Sequence, residues 1–207
     1  GALALDEAGP AGAEREAALA RVRSAVDPAT GLLVQAIDPT TGAAADAPRG
    51  SGTFLASYFL GPADPDLARA LYVAGRSLAE TQLGLLGMRE YPRGVTSTGD
   101  VDSGPVVLGL GVSASGFALA GARVHDDVAV FRGLHATATL FGTPVRRDPD
   151  GEPAHTRHLA GGPLGDAILC AMQTALGPRE LELARLRRAI TAPALERASA
   201  PVDGSGT

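Results

Sequence analysis

Four aspartates carry most of the chemistry this sequence is equipped for. Asp100 and Asp102 lie in Gly99-Asp100-Val101-Asp102-Ser103-Gly104-Pro105, at the head of an uncharged, small-residue run to Ala122; Asp38 and Asp46 lie in an earlier loop. Carboxylates whose surroundings push their proton affinities apart are the raw material of general acid and base catalysis. Asp100 and Asp102 are two positions apart, so an extended chain points them to the same side. Asp102 and Ser103 would serve equally well as helix caps, with Pro105 in the first turn. Asp100 is harder to explain structurally.

Arg49, in Pro48-Arg49-Gly50-Ser51-Gly52, has the fork to clamp a carboxylate or phosphate, and the glycines beside it let the backbone approach a ligand. The structural alternative has Asp38 closing a turn and Arg49 pairing with Asp46. A further charged loop, Arg89-Glu90-Tyr91-Pro92-Arg93, adds to the carboxylates of the Asp100 segment. Tyr58, Tyr91, Arg93 and Ser103 join Arg49 as residues to position a substrate.

Other constellations point elsewhere. Gly109-Leu110-Gly111-Val112-Ser113-Ala114 follows Val106-Val107-Leu108 and satisfies the relaxed dinucleotide pattern G-x-G-x-x-A, with Asp127-Val128-Ala129-Val130-Phe131 as a candidate second strand. That strand ends in Arg132 where an acidic residue belongs, which at best suits a 2′-phosphate, so an NADP-binding domain is a third reading. Gly104 to Ala122 is near the length of a bilayer span, but its glycines and serines suit a single buried helix better. His155 and His158 have a metal-compatible spacing, yet no acid or thiol follows at ligand distance, so no metal is expected. Cys170, the only cysteine, reads as a small buried hydrophobe and rules out an intrachain disulfide.

Composition bounds these choices. The 207 residues are 45% hydrophobic, enough for one core and one domain. A net charge of -5 and scattered basic residues argue against a nucleic-acid partner. All 18 basic residues are arginine, and lysine and asparagine are absent, a bias of GC-rich coding rather than of function. Aromatics make up 4% and tryptophan is missing, which disfavours an all-β architecture. The first residues, Gly1-Ala2-Leu3-Ala4, do not read as a natural start, so a processed product or a fragment is expected and no compartment is assigned.

The elements that must hold these residues read as helices. Periodicity and end signals predict helices over 12–26, 51–60 with Ser51 as cap, and from Asp64-Pro65 to about Leu83. Further helices are predicted over 102–124, from His125-Asp126-Asp127 to Phe141, over 163–176 and over 178–190. Tight breaks alternate with loops of roughly 15 residues, 32–48, 84–99 and 142–162, long enough to carry function. The expectation is one all-α domain over 1–190, built of helical hairpins with the long loops gathered at one end, and a flexible tail over 191–207.

Thr30-Gly31-Leu32, Asp38-Pro39-Thr40-Thr41-Gly42, Pro48-Arg49-Gly50-Ser51-Gly52 and Asp100-Val101-Asp102-Ser103-Gly104-Pro105 together resemble bacterial α/α-toroid proteins, namely the six-hairpin glycosidases and the linalool dehydratase-isomerase type. The resemblance covers roughly 27–177. It implies a cavity at the loop-rich end and acid–base chemistry without an organic cofactor, on a sugar or a small hydroxylated terpenoid. A toroid needs six hairpins and this chain supplies about three, so a homo-oligomer or further sequence would complete it. The leading expectation is a hydrolase or lyase with Asp100 or Asp102 as acid or base and Asp38 or Asp46 as partner. The alternative is a binding or assembly module without chemistry.

Overall fold

The computed structural model describes residues 10–95, 106–147, 155–158, 162–177, 179–183 and 186. Residues 1–175 form one compact unit and 176–207 a second, in which 179–183 are helical. The first unit contains, in chain order, α1 (Pro10–Ser24), α2 (Gly50–Phe59), α3 (Pro65–Arg76), β1 (Ala79–Gln82), β2 (Leu85–Met88), β3 (Val106–Val107) and β4 (Leu110–Gly111). It continues with α4 (Val112–Val124), α5 (Val128–Phe141), β5 (Pro144–Arg147), β6 (His155–His158) and α6 (Gly162–Gln173). Each consecutive pair of strands forms a two-stranded antiparallel sheet.

The fold is therefore α+β, and neither the all-α expectation nor the toroid resemblance holds. The helix predicted to reach Leu83 stops at Arg76, and its would-be last turns become β1. The helix predicted from Asp102 begins only at Val112, because Val106–Gly111 fold back as β3 and β4. The predicted loop 84–99 supplies β2, and 142–162 supplies β5 and β6. In each case the strands are two to four residues long, too short for period-two alternation to register against a helical background. The turns that create β1–β2 and β3–β4 are Leu83-Gly84 and Leu108-Gly109, not the Asn-Gly or Asp-Gly that announces a hairpin.

Where end signals were strong, helix and prediction agree. Asp64 caps α3 by accepting the Leu67 N–H at 3.0 Å, with Pro65 in the first turn. Asp127 caps α5 by accepting the Val130 N–H at 3.2 Å. That cap makes Asp127–Phe131 the start of a helix rather than a second strand, and no parallel strand pair exists among the described residues. The dinucleotide-like glycines sit in a hairpin turn (Gly109) and at the N-cap of α4 (Gly111). No helix among the described residues is long and apolar enough to cross a membrane.

Helix α4 lies at the centre, with α2, α5 and α6 packed on it and α3 packed on α2. Its buried face is small, with Ala114, Ala118, Ala120 and Ala122 beside Leu119, and this brings its neighbours close. Phe54, Tyr72, Met88, Val130, Leu134 and Met172 complete the core. Cys170, expected inside, is exposed on α6, where the turn toward the core is taken by Met172.

The segment between α1 and α2 is a pair of matching turns. In Asp27-Pro28-Ala29-Thr30-Gly31 and Asp38-Pro39-Thr40-Thr41-Gly42 the carboxylate accepts the N–H of the second threonine position, Thr30 or Thr41, at 2.9 Å in both. The glycine N–H donates to the aspartate carbonyl at 2.7 and 2.8 Å, and bridges Val26–Leu33 and Ile37–Ala44 close the two loops. These turns deliver Asp46 and Arg49 to the start of α2.

Candidate functional site

Helix α2 begins without a cap of its own. Arg49 occupies the N-cap position in extended conformation and its side chain makes no cap bond; Ser51, predicted as the cap, falls inside the first turn. The first N–H groups of a helix need acceptors. Here Glu90, just past β2, supplies them. Its carbonyl accepts the Gly50 N–H at 2.7 Å, and its Oε1 accepts the Ser51 hydroxyl at 2.5 Å and the Ser51 N–H at 3.4 Å. Glu90 is fully buried and Ser51 nearly so. The positive end of the helix dipole favours a carboxylate at this point.

Two backbone bonds fix the approach of Glu90: the Arg89 N–H to the Leu78 carbonyl at 2.9 Å, and the Glu90 N–H to the Gly109 carbonyl at 3.3 Å. Residue 50 must be glycine, since a Cβ there would stand 2.5 Å from the Arg89 carbonyl oxygen.

Arg49 closes the other side. Its Nη2 lies 3.1 Å from Asp46 Oδ2, and its guanidinium carbon lies 5.6 Å from the centre of the Tyr91 ring. Both charged side chains are largely out of water, at 13% and 17% exposure, and Tyr91 is buried. Asp46 Oδ1 accepts the Ala36 N–H at 3.2 Å. Thr53 accepts the Leu33 N–H at 2.8 Å and donates to the Arg49 carbonyl, tying the preceding loop to the helix.

At the rim, Glu80 Oε2 meets Arg89 Nη1 at 3.2 Å and Arg93 Nη2 at 3.1 Å, and Glu80 Oε1 accepts from Gln82 at 3.2 Å. The Gln82 bond first, and the Arg89 bond next, hold the Glu80 carboxyl below its ordinary range.

The structure thus gathers Asp46, Arg49 and Tyr91, which come from segments some 40 positions apart, and ties Arg93 to the same hairpin through Glu80. It does not bring in Asp38, which is exposed at the tip of its own turn. There the Thr41 N–H first, and the Thr40 N–H next, lower its pKa. Tyr58 is also apart, near the C-terminal end of α2, with its ring 5.0 Å from that of Phe59 and its body against the core. Asp100, Asp102 and Ser103 lie outside the described residues. Glu90 and Ser51 were not among the expected site residues. The signal was an acid two positions past the apolar run Leu85-Leu86-Gly87-Met88, with Arg89 between.

A second polar cluster joins α3 to the α4–α5 junction. The Tyr72 hydroxyl donates to Asp127 Oδ2 at 3.0 Å, and Arg76 Nε lies 2.7 Å from the same oxygen. Burial, and then Asp127, push the Tyr72 hydroxyl well above the usual phenol range. The His125 ring stacks on Tyr72 with centres 4.8 Å apart, and its Nε2 is buried with no hydrogen-bond partner among the described residues. Burial first, and Arg69 next, lower the His125 pKa. On β6, the His158 N–H donates to Asp166 at 2.7 Å, and this bond leads in lowering the Asp166 pKa. No group of three metal-ligating side chains occurs among the described residues.

No protein-family model matches the chain, and no curated protein matches it either.

Proposed function

We propose that the chain is a hydrolase or lyase whose acid–base chemistry takes place beside the N-terminus of α2, on a small hydroxylated substrate such as a sugar or a hydroxylated terpenoid. The observation that carries this reading is the Asp46–Arg49–Tyr91 arrangement, an ion pair withdrawn from water and laid against a buried ring. Burying such a pair adds little to stability, and an apolar trio would pack at least as well. Charged side chains withdrawn from water and set beside one another are the raw material of acid–base sites.

In this scheme Asp46 is the carboxylate base or acid, and Arg49 stabilises negative charge developing on a substrate oxygen. Tyr91 supplies the flat apolar wall and orients the guanidinium. Asp100 or Asp102 is the second carboxylate. What supports naming them is connectivity: their segment leaves at Val95, four residues after Tyr91, and returns at Val106, three before the Gly109 that holds Glu90. Glu90 and Ser51 set the position of Arg49 by fixing the first turn of α2.

The test is turnover on a panel of aryl glycosides and small tertiary alcohols, with Asp46→Asn, Asp100→Asn and Asp102→Asn. Loss of an acid or base should cost about 10²-fold or more in rate. The Asp100 and Asp102 variants should keep their stability within about 1 kcal/mol. Full activity in all three variants, or a native chain inert on the whole panel, removes the reading.

A further inference from the structure

His125 closes α4 with a ring nitrogen that its surroundings leave unsatisfied. The residue as a whole is half-buried, but its Nε2 is shut away from water with no hydrogen-bond partner among the described residues. A buried polar atom without a partner is costly, and a fold that keeps one calls for a reason.

What the ring does is cover Tyr72. The two rings stack with centres 4.8 Å apart. Tyr72 also fits against Gly121, one turn earlier on α4, where a Cβ would stand 2.9 Å from its ring, and it meets Phe54 of α2 edge-on at 6.4 Å. Under that cover its hydroxyl donates to Asp127 Oδ2, the oxygen that also pairs with Arg76, while Asp127 Oδ1 caps α5. The stacked pair therefore joins α3, the end of α4 and the start of α5.

The charges around the ring give an added proton no welcome. Of the α3 groups, Arg76 is engaged with Asp127, and Arg69 repels an imidazolium. Arg123 of α4 donates to the Ala175 carbonyl at 2.6 Å. In the turn, Asp127 already accepts from Tyr72, Arg76 and the Val130 N–H. Asp126 favours the proton, but it is exposed and counts for less than burial and Arg69. Further along α5 come Arg132 and His135, the latter beside Phe131; Asp166 of α6 is held by Arg157 and His158, and α2 carries no acid or basic side chain. An imidazolium here would bury an N–H with nothing to accept it.

We propose that His125 is an acid-operated latch, independent of the catalytic reading: on taking up a proton its ring swings off Tyr72 into water, and the contact of α3 with the α4–α5 turn opens while the core between α2 and α4 stays packed. Linkage sets the direction. Burial first, and Arg69 next, hold the His125 pKa below 6.5, so the closed latch is neutral and the open one takes the proton first. The latch is closed above about pH 6.5, and each pH unit below that opens it about tenfold further until the folded pKa is reached.

The experiment is hydrogen exchange of the full chain, read by mass spectrometry as protection factors from about pH 7.5 to about pH 5. Peptides over 69–76 and 122–131 should lose about tenfold protection per pH unit below about pH 6.5, while a peptide over 53–58 keeps its own. His125→Phe leaves a ring on Tyr72 that cannot take a proton, and should abolish the loss. Should that variant not fold, His125→Gln, which has no proton to gain, must abolish it instead. Protection that does not change with pH in the native chain, an equal loss over 53–58, or a pH dependence that survives the substitution overturns the proposal.

Discussion

Glu80 lies in β1 and Glu90 just past β2, and both stand beside Arg89, yet their surroundings have opposite demands. Glu80 stands at the rim between Arg89, Arg93 and Gln82, where water can replace any partner that is lost. Ion pairs of that kind contribute little. Glu90 has no access to water, and its neighbours are shaped around it: Ser51 points its hydroxyl at Oε1, and a Cβ on Gly111 would collide with the carboxylate. The first carboxylate tunes a surface; the second holds a helix end, a strand end and the β3–β4 turn in one arrangement. Burial, not charge or partner count, separates them.

That contrast is open to direct attack, beginning where the effect is largest. Glu90→Ala strips the first turn of α2 of its acceptor and should cost about 3 kcal/mol in urea unfolding. A loss below about 1 kcal/mol would put Glu90 in the same class as Glu80. Ser51→Ala keeps the Ser51 N–H bond but removes the hydroxyl, and about 1–2 kcal/mol should go.

A pH series sharpens the comparison further, with His125 as the internal reference. The His125 pKa is lowered from 6.5 in the fold, so the unfolded chain takes up the proton first. Stability is therefore full above about pH 6.5 and declines as pH falls from there toward the folded pKa. His125→Phe should flatten that part of the curve; an unchanged slope would remove His125 from the account. Glu80, lowered from 4.5, contributes stability that is present above that value and lost only below it. Glu80→Gln should accordingly lower the melting temperature at pH 7 only slightly, as a solvated pair allows, and converge with the parent at the acid end of the curve. A clear drop at pH 7 would mean the rim network is more than a solvated face.

How much of this was legible beforehand differs by element. Asp64-Pro65 and Asp127 mark helix starts because a cap acts within three residues, and both were visible. The long-loop reading of 32–48 missed the bridges that order it, although Asp38-Pro39-Thr40-Thr41-Gly42 was recognised as a turn. The hairpins were misread as helix or loop because leucine occupies the turn position where a hairpin signal is sought. Of the residues expected to act together, Asp46, Arg49 and Tyr91 meet, while Tyr58, on the same helix as Arg49, is carried toward its other end. Glu90 was seen as one more loop carboxylate, since nothing within a few positions reveals that it is buried.

The paired turns after α1 show where the boundary falls. Asp-Pro-x-Thr-Gly appears twice and folds twice into the same hydrogen bonds, all closed within a few residues, so the sequence alone determines the turn. What it does not determine is consequence. A Cβ on Gly31 would press on Ala74 at 3.0 Å, whereas one on Gly42 would meet nothing within 4 Å. The Ser51–Glu90 bond spans 39 positions, and its partners become neighbours only when α2, β2 and the β3–β4 turn have come together. Local bonds draw on the chain's own spacing and are written in it. Burial, and the charge arrangement it enforces, depends on surfaces that segments far apart in the chain present to one another, and only the tertiary structure decides it.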